Sequence, residues 1–191
     1  MISLFDARPI VVALAGSNGA GKSTFYHAHL APAALRFVNA DELAQEMGVD
    51  AYQAADAAGK IRHALIEERE SFIFETVLSD PVGEKVAFLQ TAAERGYTVV
   101  MCFIGVDSVA ISEERVSMRA LQGGHDVPSE KLASRFPRTL ENLQRAIDVL
   151  PHVLLFDNSD LRRPFRKVAE FHKGKLTLDS GLRPAWFKWP R

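Results

Sequence analysis

Apolar residues fall in short continuous runs separated by stretches of helical spacing, and this alternation sets the fold class. Ile10-Val11-Val12-Ala13-Leu14-Ala15 is apolar throughout and stops at Gly16, the pattern of a strand buried on both faces. Apolar runs at 35–39, 71–74, 97–104 and 153–156 predict four more strands. The second ends at Asn39-Ala40-Asp41, the third on Glu75 and the fifth at Asp157-Asn158. Between them the spacing predicts helices starting near Lys22 and spanning 51–69, 81–95, 108–121 and 129–150. The 81–95 helix is expected to open with Asp80 as cap and Pro81 at its first position, and to stop at Gly96. Strand–helix alternation predicts one α/β domain over 1–191, with a mostly parallel five-stranded sheet flanked by helices. From Phe165 the texture changes: 167–172 and 175–178 alternate around Lys173-Gly174 and predict a hairpin at the sheet edge. A tail with Trp186, Phe187 and Trp189 follows, apolar enough to dock on the body, so that hairpin and tail together fill 160–191.

Composition narrows the function classes. Of 191 residues 47% are hydrophobic and 25% charged, which excludes a disordered or low-complexity chain. Lys+Arg 23 against Asp+Glu 24 leaves a net charge of -1, so no long-range field draws the protein to nucleic acid or an anionic membrane. The single cysteine, Cys102, lies in an apolar run and has no partner for an internal disulfide, which fits the reducing cytosol. The run before Gly16 is too short for a membrane span or a signal sequence. The expected location is cytoplasmic.

The chemistry begins at Gly16-Ser17-Asn18-Gly19-Ala20-Gly21-Lys22-Ser23, with Thr24 behind it. This fits G-x-x-x-x-G-K-[ST] without a mismatch, between an apolar strand and helical sequence. Glycines let backbone amides turn inward around a phosphate chain, Lys22 reaches the β/γ-phosphates, Ser23 ligates Mg²⁺, and the helix N-terminus adds partial positive charge. ATP and Mg²⁺ are thus the expected cofactors. An N-K-x-D base-recognition motif and an L-S-G-G-Q-like segment are both absent, which sets aside regulatory GTPases and transporter ATPases and leaves small P-loop kinases.

In a parallel α/β sheet ligands sit beyond the carboxyl ends of the strands, where Asp41 and Glu75 are expected. A kinase needs a carboxylate to accept the acceptor hydroxyl's proton, and acidic groups to hold magnesium water. Asp41 suits the first role, or caps the turn at Glu42-Leu43-Ala44; Glu75 suits the second, or a substrate contact. Thr76 and Ser79 either cap the next element or meet substrate. Arg115, Arg119, Arg135 and Arg138 flank Gly123-Gly124-His125-Asp126-Val127-Pro128, a hinge-like stretch inside a lid expected at 115–138. These arginines either neutralise charge on a transferred phosphoryl group or pair on solvated helix faces, as Arg145 is expected to do with Glu141. His125 either contacts phosphate or caps the turn.

The set of 16–23, Asn39-Ala40-Asp41, Phe74-Glu75-Thr76, the 123–128 stretch and Asn142-Leu143 resembles the zeta-toxin family of P-loop kinases, in its short Gram-negative branch, over roughly 10–159. The resemblance implies ATP-dependent phosphorylation of UDP-N-acetylglucosamine or a related UDP-sugar at the 3′-hydroxyl of the amino sugar. It makes Asp41 the base and Lys22 and Ser23 the nucleotide and magnesium contacts. Arg119 and Arg135 become the transition-state clamp, and Glu75, Thr76, Arg115, His125 and Arg138 the substrate contacts. It also implies a small antitoxin partner. The E-G-T-G-R of the longer Gram-positive members is replaced here by Glu75-Thr76-Val77-Leu78-Ser79-Asp80, which lacks the arginine. Two other readings remain: a P-loop kinase for another acceptor (nucleoside, sugar or polynucleotide), and a regulatory ATP-binding module. Asp41 speaks against the module, which has no use for an acceptor-side base.

Overall fold

β1 (Ile10–Ala15) is buried at every position, and its period of two divides the core between the faces of the sheet. Val11, Ala13 and Ala15 face one core with Leu65, Leu89 and Ile147; Ile10, Val12 and Leu14 face another with Phe25, Leu30 and Ile104. Helices cover both faces, which is why the run carries no polar alternation. The computed structural model describes residues 4–122 and 127–188.

The sheet has seven strands in the order β2-β3-β1-β4-β5-β6-β7. β2 (Arg36–Val38), β3 (Phe72–Thr76), β4 (Thr98–Gly105) and β5 (His152–Asp157) run parallel with β1. β6 (Arg166–His172) and β7 (Lys175–Asp179) continue it antiparallel. The expected five strands are therefore the parallel part of a longer sheet. The predicted hairpin joins it because Val168, Ala169 and Phe171 of β6 are buried and bind its first strand to β5, leaving β7 as an exposed edge. β1 lies between β3 and β4, so the chain order reverses there, and the crevice beyond its carboxyl end is where such sheets bind ligands.

The helices are α1 (Lys22–Phe25), which runs on as a π-helical turn over Tyr26–Leu30, α2 (Ala40–Met47), α3 (Ala51–Glu67), α4 (Glu84–Glu94), α5 (Val109–Leu121) and α6 (Ser129–Val149). Two boundary expectations are corrected. α4 does not open at Pro81: Gly83, in the left-handed region at φ 77°, precedes Glu84, and Asp80 Oδ1 accepts the Glu84 N–H at 2.5 Å. The 78–80 segment is held off the helix by Asn142 of α6, whose Nδ2 donates to Leu78 O at 2.9 Å and Asp80 O at 2.8 Å. α2 is capped by Asn39, whose side chain accepts the Asp41 N–H at 2.9 Å, so Asp41 is not the cap. Cys102 is buried in β4 and its thiol is pushed up to about 12 by burial. Trp186 docks as expected at 4% exposure; Trp189 and the Gly123-Gly124 pair lie outside the described residues. No helix among the described residues is long and apolar enough to cross a membrane.

Asn142 is 2% exposed, and replacing it by alanine leaves two carbonyls without their donor. Asn142→Ala should cost about 1–3 kcal/mol in urea unfolding. A loss below about 0.5 kcal/mol, the size of an ordinary surface change, would show that 78–80 is held by something else.

Candidate active site

The phosphate loop leaves β1 at Ala15 and re-enters helix at Lys22. Lys22 is 6% exposed, and its Nζ donates to Gly16 O and Ser17 O, both at 3.0 Å. Glu75 Oε1 stands 3.6 Å from the same nitrogen, because β3 pairs with β1 in a register that sets Glu75 opposite Leu14. Glu75 Oε2 accepts from Ser23 Oγ at 3.1 Å and from Asn39 Nδ2 at 3.5 Å. Burial pushes the Lys22 amine below its ordinary value, and the charges of Glu75 and Asp41 counter that only in part.

Neighbouring elements hold the loop from both sides. Ser17 Oγ is 3.2 Å from Ser112 Oγ of α5, and Arg115 Nη1 donates to Gly19 O at 3.4 Å. From the end of β5, Asn158 Nδ2 donates to Ala20 O at 2.8 Å. Gly21 sits at φ +92°, and a Cβ there would lie 2.6 Å from that same Asn158 nitrogen. Only glycine satisfies both the turn and the approach.

Two clefts open beside Lys22 and share Glu75 and Arg119. The first, about 370 Å³, is lined by Gly21, Thr24, Arg115, Asn158, Leu161, Pro164 and Phe165. The second, about 320 Å³, is lined by Asp41, Tyr52, Glu75, Arg119, Lys131 and Arg135. Acids from α2 and β3 therefore share it with cations from α5 and α6. Lys131 Nζ lies 5.8 Å from the centre of the Tyr52 ring, which links α6 to α3 across this cleft. A further cavity of about 750 Å³ runs along α2 past Asp41, Asn39 and Glu42.

The candidates drawn from sequence separate into three groups. Asn18, Gly19 and Gly21 to Thr24 of the loop, together with Asp41, Glu75, Arg115, Arg119 and Arg135, line the two clefts, while Gly16, Ser17 and Ala20 line neither. Thr76 and Arg138 line neither. The Thr76 hydroxyl accepts the Leu78 N–H at 3.1 Å within its own loop, and Arg138 Nε is buried without a hydrogen-bond partner. His125 lies outside the described residues. The expected surface pairing of Arg145 with Glu141 is replaced by a 3.2 Å hydrogen bond from Arg145 Nη1 to Asn142 Oδ1.

Sequence reasoning missed Asn158, Phe165, Ser112, Tyr52 and Lys131. Asn158 carried a signal, a polar residue directly after a strand that ends at the loop's level. The others carried none, because their places depend on how α3, α5, α6 and the β5–β6 loop pack.

Asp157 anchors the β5–β6 loop. It is fully buried and accepts from Ser159 Oγ at 2.6 Å, Trp186 Nε1 at 3.0 Å and Arg166 Nη2 at 2.6 Å. Burial alone would raise this carboxyl, but the hydrogen bonds from Ser159, Trp186 and Arg166 outweigh it and hold it below the ordinary carboxylate range. A depressed carboxylate stabilises the fold above its unfolded pKa, and that contribution is lost as pH falls through the folded value. Asp157→Asn should therefore lower the urea midpoint at pH 7, and the gap to wild type should shrink below about pH 4. A gap that stays constant with pH would mean the charge contributes nothing.

The fold has counterparts among known proteins. An uncharacterised protein of Haemophilus influenzae is 28% identical over 126 residues, covering 63% of this chain and 88% of that protein. The crystal structure of AvrRxo1-ORF1:-ORF2 with ATP superposes with a TM-score of 0.69 at 20% identity over 92% of this chain, which spans only 62% of that one. The PezAT chromosomal toxin-antitoxin system of Streptococcus pneumoniae superposes at 0.54 with 18% identity, covering 84% of this chain and 71% of that one. A family model described as an AAA domain matches residues 11–144, from β1 into α6. The chain belongs to that AAA-domain family, built on a P-loop kinase-like fold.

Proposed function

We propose that the protein is an ATP-dependent phosphotransferase that phosphorylates UDP-N-acetylglucosamine or a related UDP-sugar at the 3′-hydroxyl of the amino sugar. The observation that carries the reading is the second cleft, where an exposed carboxylate, Asp41, shares one cavity with the phosphate-loop lysine and with Arg119 and Arg135. A switch protein needs the lysine alone; a kinase needs the carboxylate beside it.

In this reading the first cleft takes the nucleoside end of ATP, with Leu161, Pro164 and Phe165 against the base and Arg115 beside it. Lys22 and the loop amides hold the β/γ-phosphates. Ser23 and Glu75, a hydroxyl and a carboxylate 3.1 Å apart, form an all-oxygen donor set that suits Mg²⁺. When bound, magnesium supplies charge neutralisation at the phosphate oxygens. The acceptor hydroxyl enters the second cleft and attacks the γ-phosphorus. Its proton passes to Asp41, the bond from γ-phosphorus to the β–γ bridging oxygen breaks, and ADP leaves. Arg119 and Arg135 stabilise the charge on the transferred group. Asn39 caps α2, so Asp41 has no capping duty and its carboxylate is available as base.

The complexes formed by the AvrRxo1-ORF1:-ORF2 pair and the PezAT toxin-antitoxin system support a second protein, an antitoxin, as partner. A cytoplasmic toxin controlled in this way fits a peptidoglycan-precursor substrate.

The test is ATP turnover with and without UDP-N-acetylglucosamine, with the product read by mass spectrometry. The expected result is strict acceptor dependence and a singly phosphorylated UDP-sugar. Turnover with another hydroxyl acceptor only would reassign the substrate, and acceptor-independent hydrolysis would favour the regulatory module. Lys22→Ala should abolish transfer while circular dichroism stays native. Asp41→Asn should bind ATP normally yet lose about 10²-fold or more in transfer, the range of general-base catalysis. Unchanged transfer in Asp41→Asn would remove the base from the mechanism.

A further inference from the structure

The tail beyond β7 crosses to the carboxyl end of the sheet, where a backbone hydrogen bond and an indole fasten it. Ser180 donates through its N–H and its hydroxyl to Val168 O, and the Ala185 N–H donates to Asp107 Oδ1 at 2.7 Å. Trp186 then enters the core, its ring 5.5 Å from that of Phe103. It packs on Gly105, the last residue of β4, so closely that a Cβ there would fall 2.1 Å from the indole. Its Nε1–H donates to Asp157 Oδ1 at 3.0 Å.

Asp157 and Arg166, ion-paired at 2.6 Å, are the two ends of the β5–β6 loop. Between them the loop carries the wall of the first cleft: Asn158, Leu161, Pro164 and Phe165. Ser159 O also accepts from Arg115 Nη2 at 3.2 Å on the facing helix, and the Asn158 N–H donates to Gly105 O at 2.9 Å. The indole thus touches both anchors of the loop, Gly105 by packing and Asp157 by hydrogen bond, while lining neither cleft itself.

We propose that Trp186 is a positioning residue for nucleotide binding: by completing the donors around Asp157 and closing on Gly105, it fixes the 158–165 loop and sets affinity for the base and ribose end of a nucleoside triphosphate. The inference rests on the assignment of the first cleft to the nucleoside. It goes beyond that assignment by giving the C-terminal tail, which lies outside the 11–144 family match, a part in nucleotide recognition.

Calorimetric titration with ATP and with inorganic tripolyphosphate separates this role from general support of the fold. The two ligands share the phosphate chain, and only ATP reaches the loop. Trp186→Phe keeps an aromatic ring in the core and removes the N–H. It should weaken ATP by about tenfold, the size of a lost hydrogen bond to a charged group, and weaken tripolyphosphate far less, since hydrogen bonds tie this loop to the phosphate loop only through Asn158 and Arg115. Gly105→Ala displaces the indole without changing the tail's sequence and should give the same base-selective loss. Equal losses for both ligands, or an unchanged ATP affinity in Trp186→Phe, would overturn the role of Trp186 alone. A wild-type protein that binds ATP no better than tripolyphosphate would instead overturn the nucleoside assignment, and this inference with it.

Discussion

One buried lysine organises the candidate site. The Lys22 ammonium sits at 6% exposure at the mouth of the central strand, where an isolated charge would cost far more than a small fold can spare. Two loop carbonyls and Glu75 make the position tolerable. Glu75 can reach it only because β3 lies directly beside β1, so strand order and charge compensation are one constraint. Burial still outweighs that compensation, since the amine stays below its ordinary value. The site is consequently poised for an anion: a phosphate chain brings the negative charge that the folded protein only partly supplies.

The loop around Lys22 is held from elements that are distant in sequence. Ser112 and Arg115 reach it from α5, and Asn158 reaches it from the end of β5. Each bond ends on a backbone or hydroxyl group of the loop. The same elements then build the cleft walls, so the loop's geometry and the shape of the ligand site are set by shared parts. Asp157 is the clearest case: one carboxylate with no exposure gathers donors from its own loop, from β6 and from the tail.

Acids and cations are sorted by element in the second cleft. Asp41 and Glu75 stand at the carboxyl end of the parallel strands, on α2 and β3, whereas Arg119, Lys131 and Arg135 come from α5 and α6. Lys131 and Arg135 are one helical turn apart and so share a face. Arg138, three residues further on, lines neither cleft, and its Nε is buried. That division gives the cleft a proton acceptor and charge-stabilising groups at once, the pairing that phosphoryl transfer to a hydroxyl requires.

Local sequence determined the parts whose physics is local. A continuous apolar run, a glycine-rich loop and a lysine at the helix start specify β1, the phosphate loop and α1 within about fifteen neighbouring residues, and strand-end positions placed Asp41 and Glu75. Asn39 as the cap of α2 and Gly83 before α4 were set by side-chain bonds to the backbone, from Asn39 to Asp41 and from Asp80 to Glu84, which spacing cannot rank. The tertiary structure alone decided the rest: that Arg135 lines the cleft and Arg138 does not, and that Asn158 and Trp186 meet at Asp157. These depend on contacts between residues 29 to 138 positions apart, and nothing in a local pattern of hydrophobic and polar residues records which distant partner will arrive to satisfy a buried donor or charge.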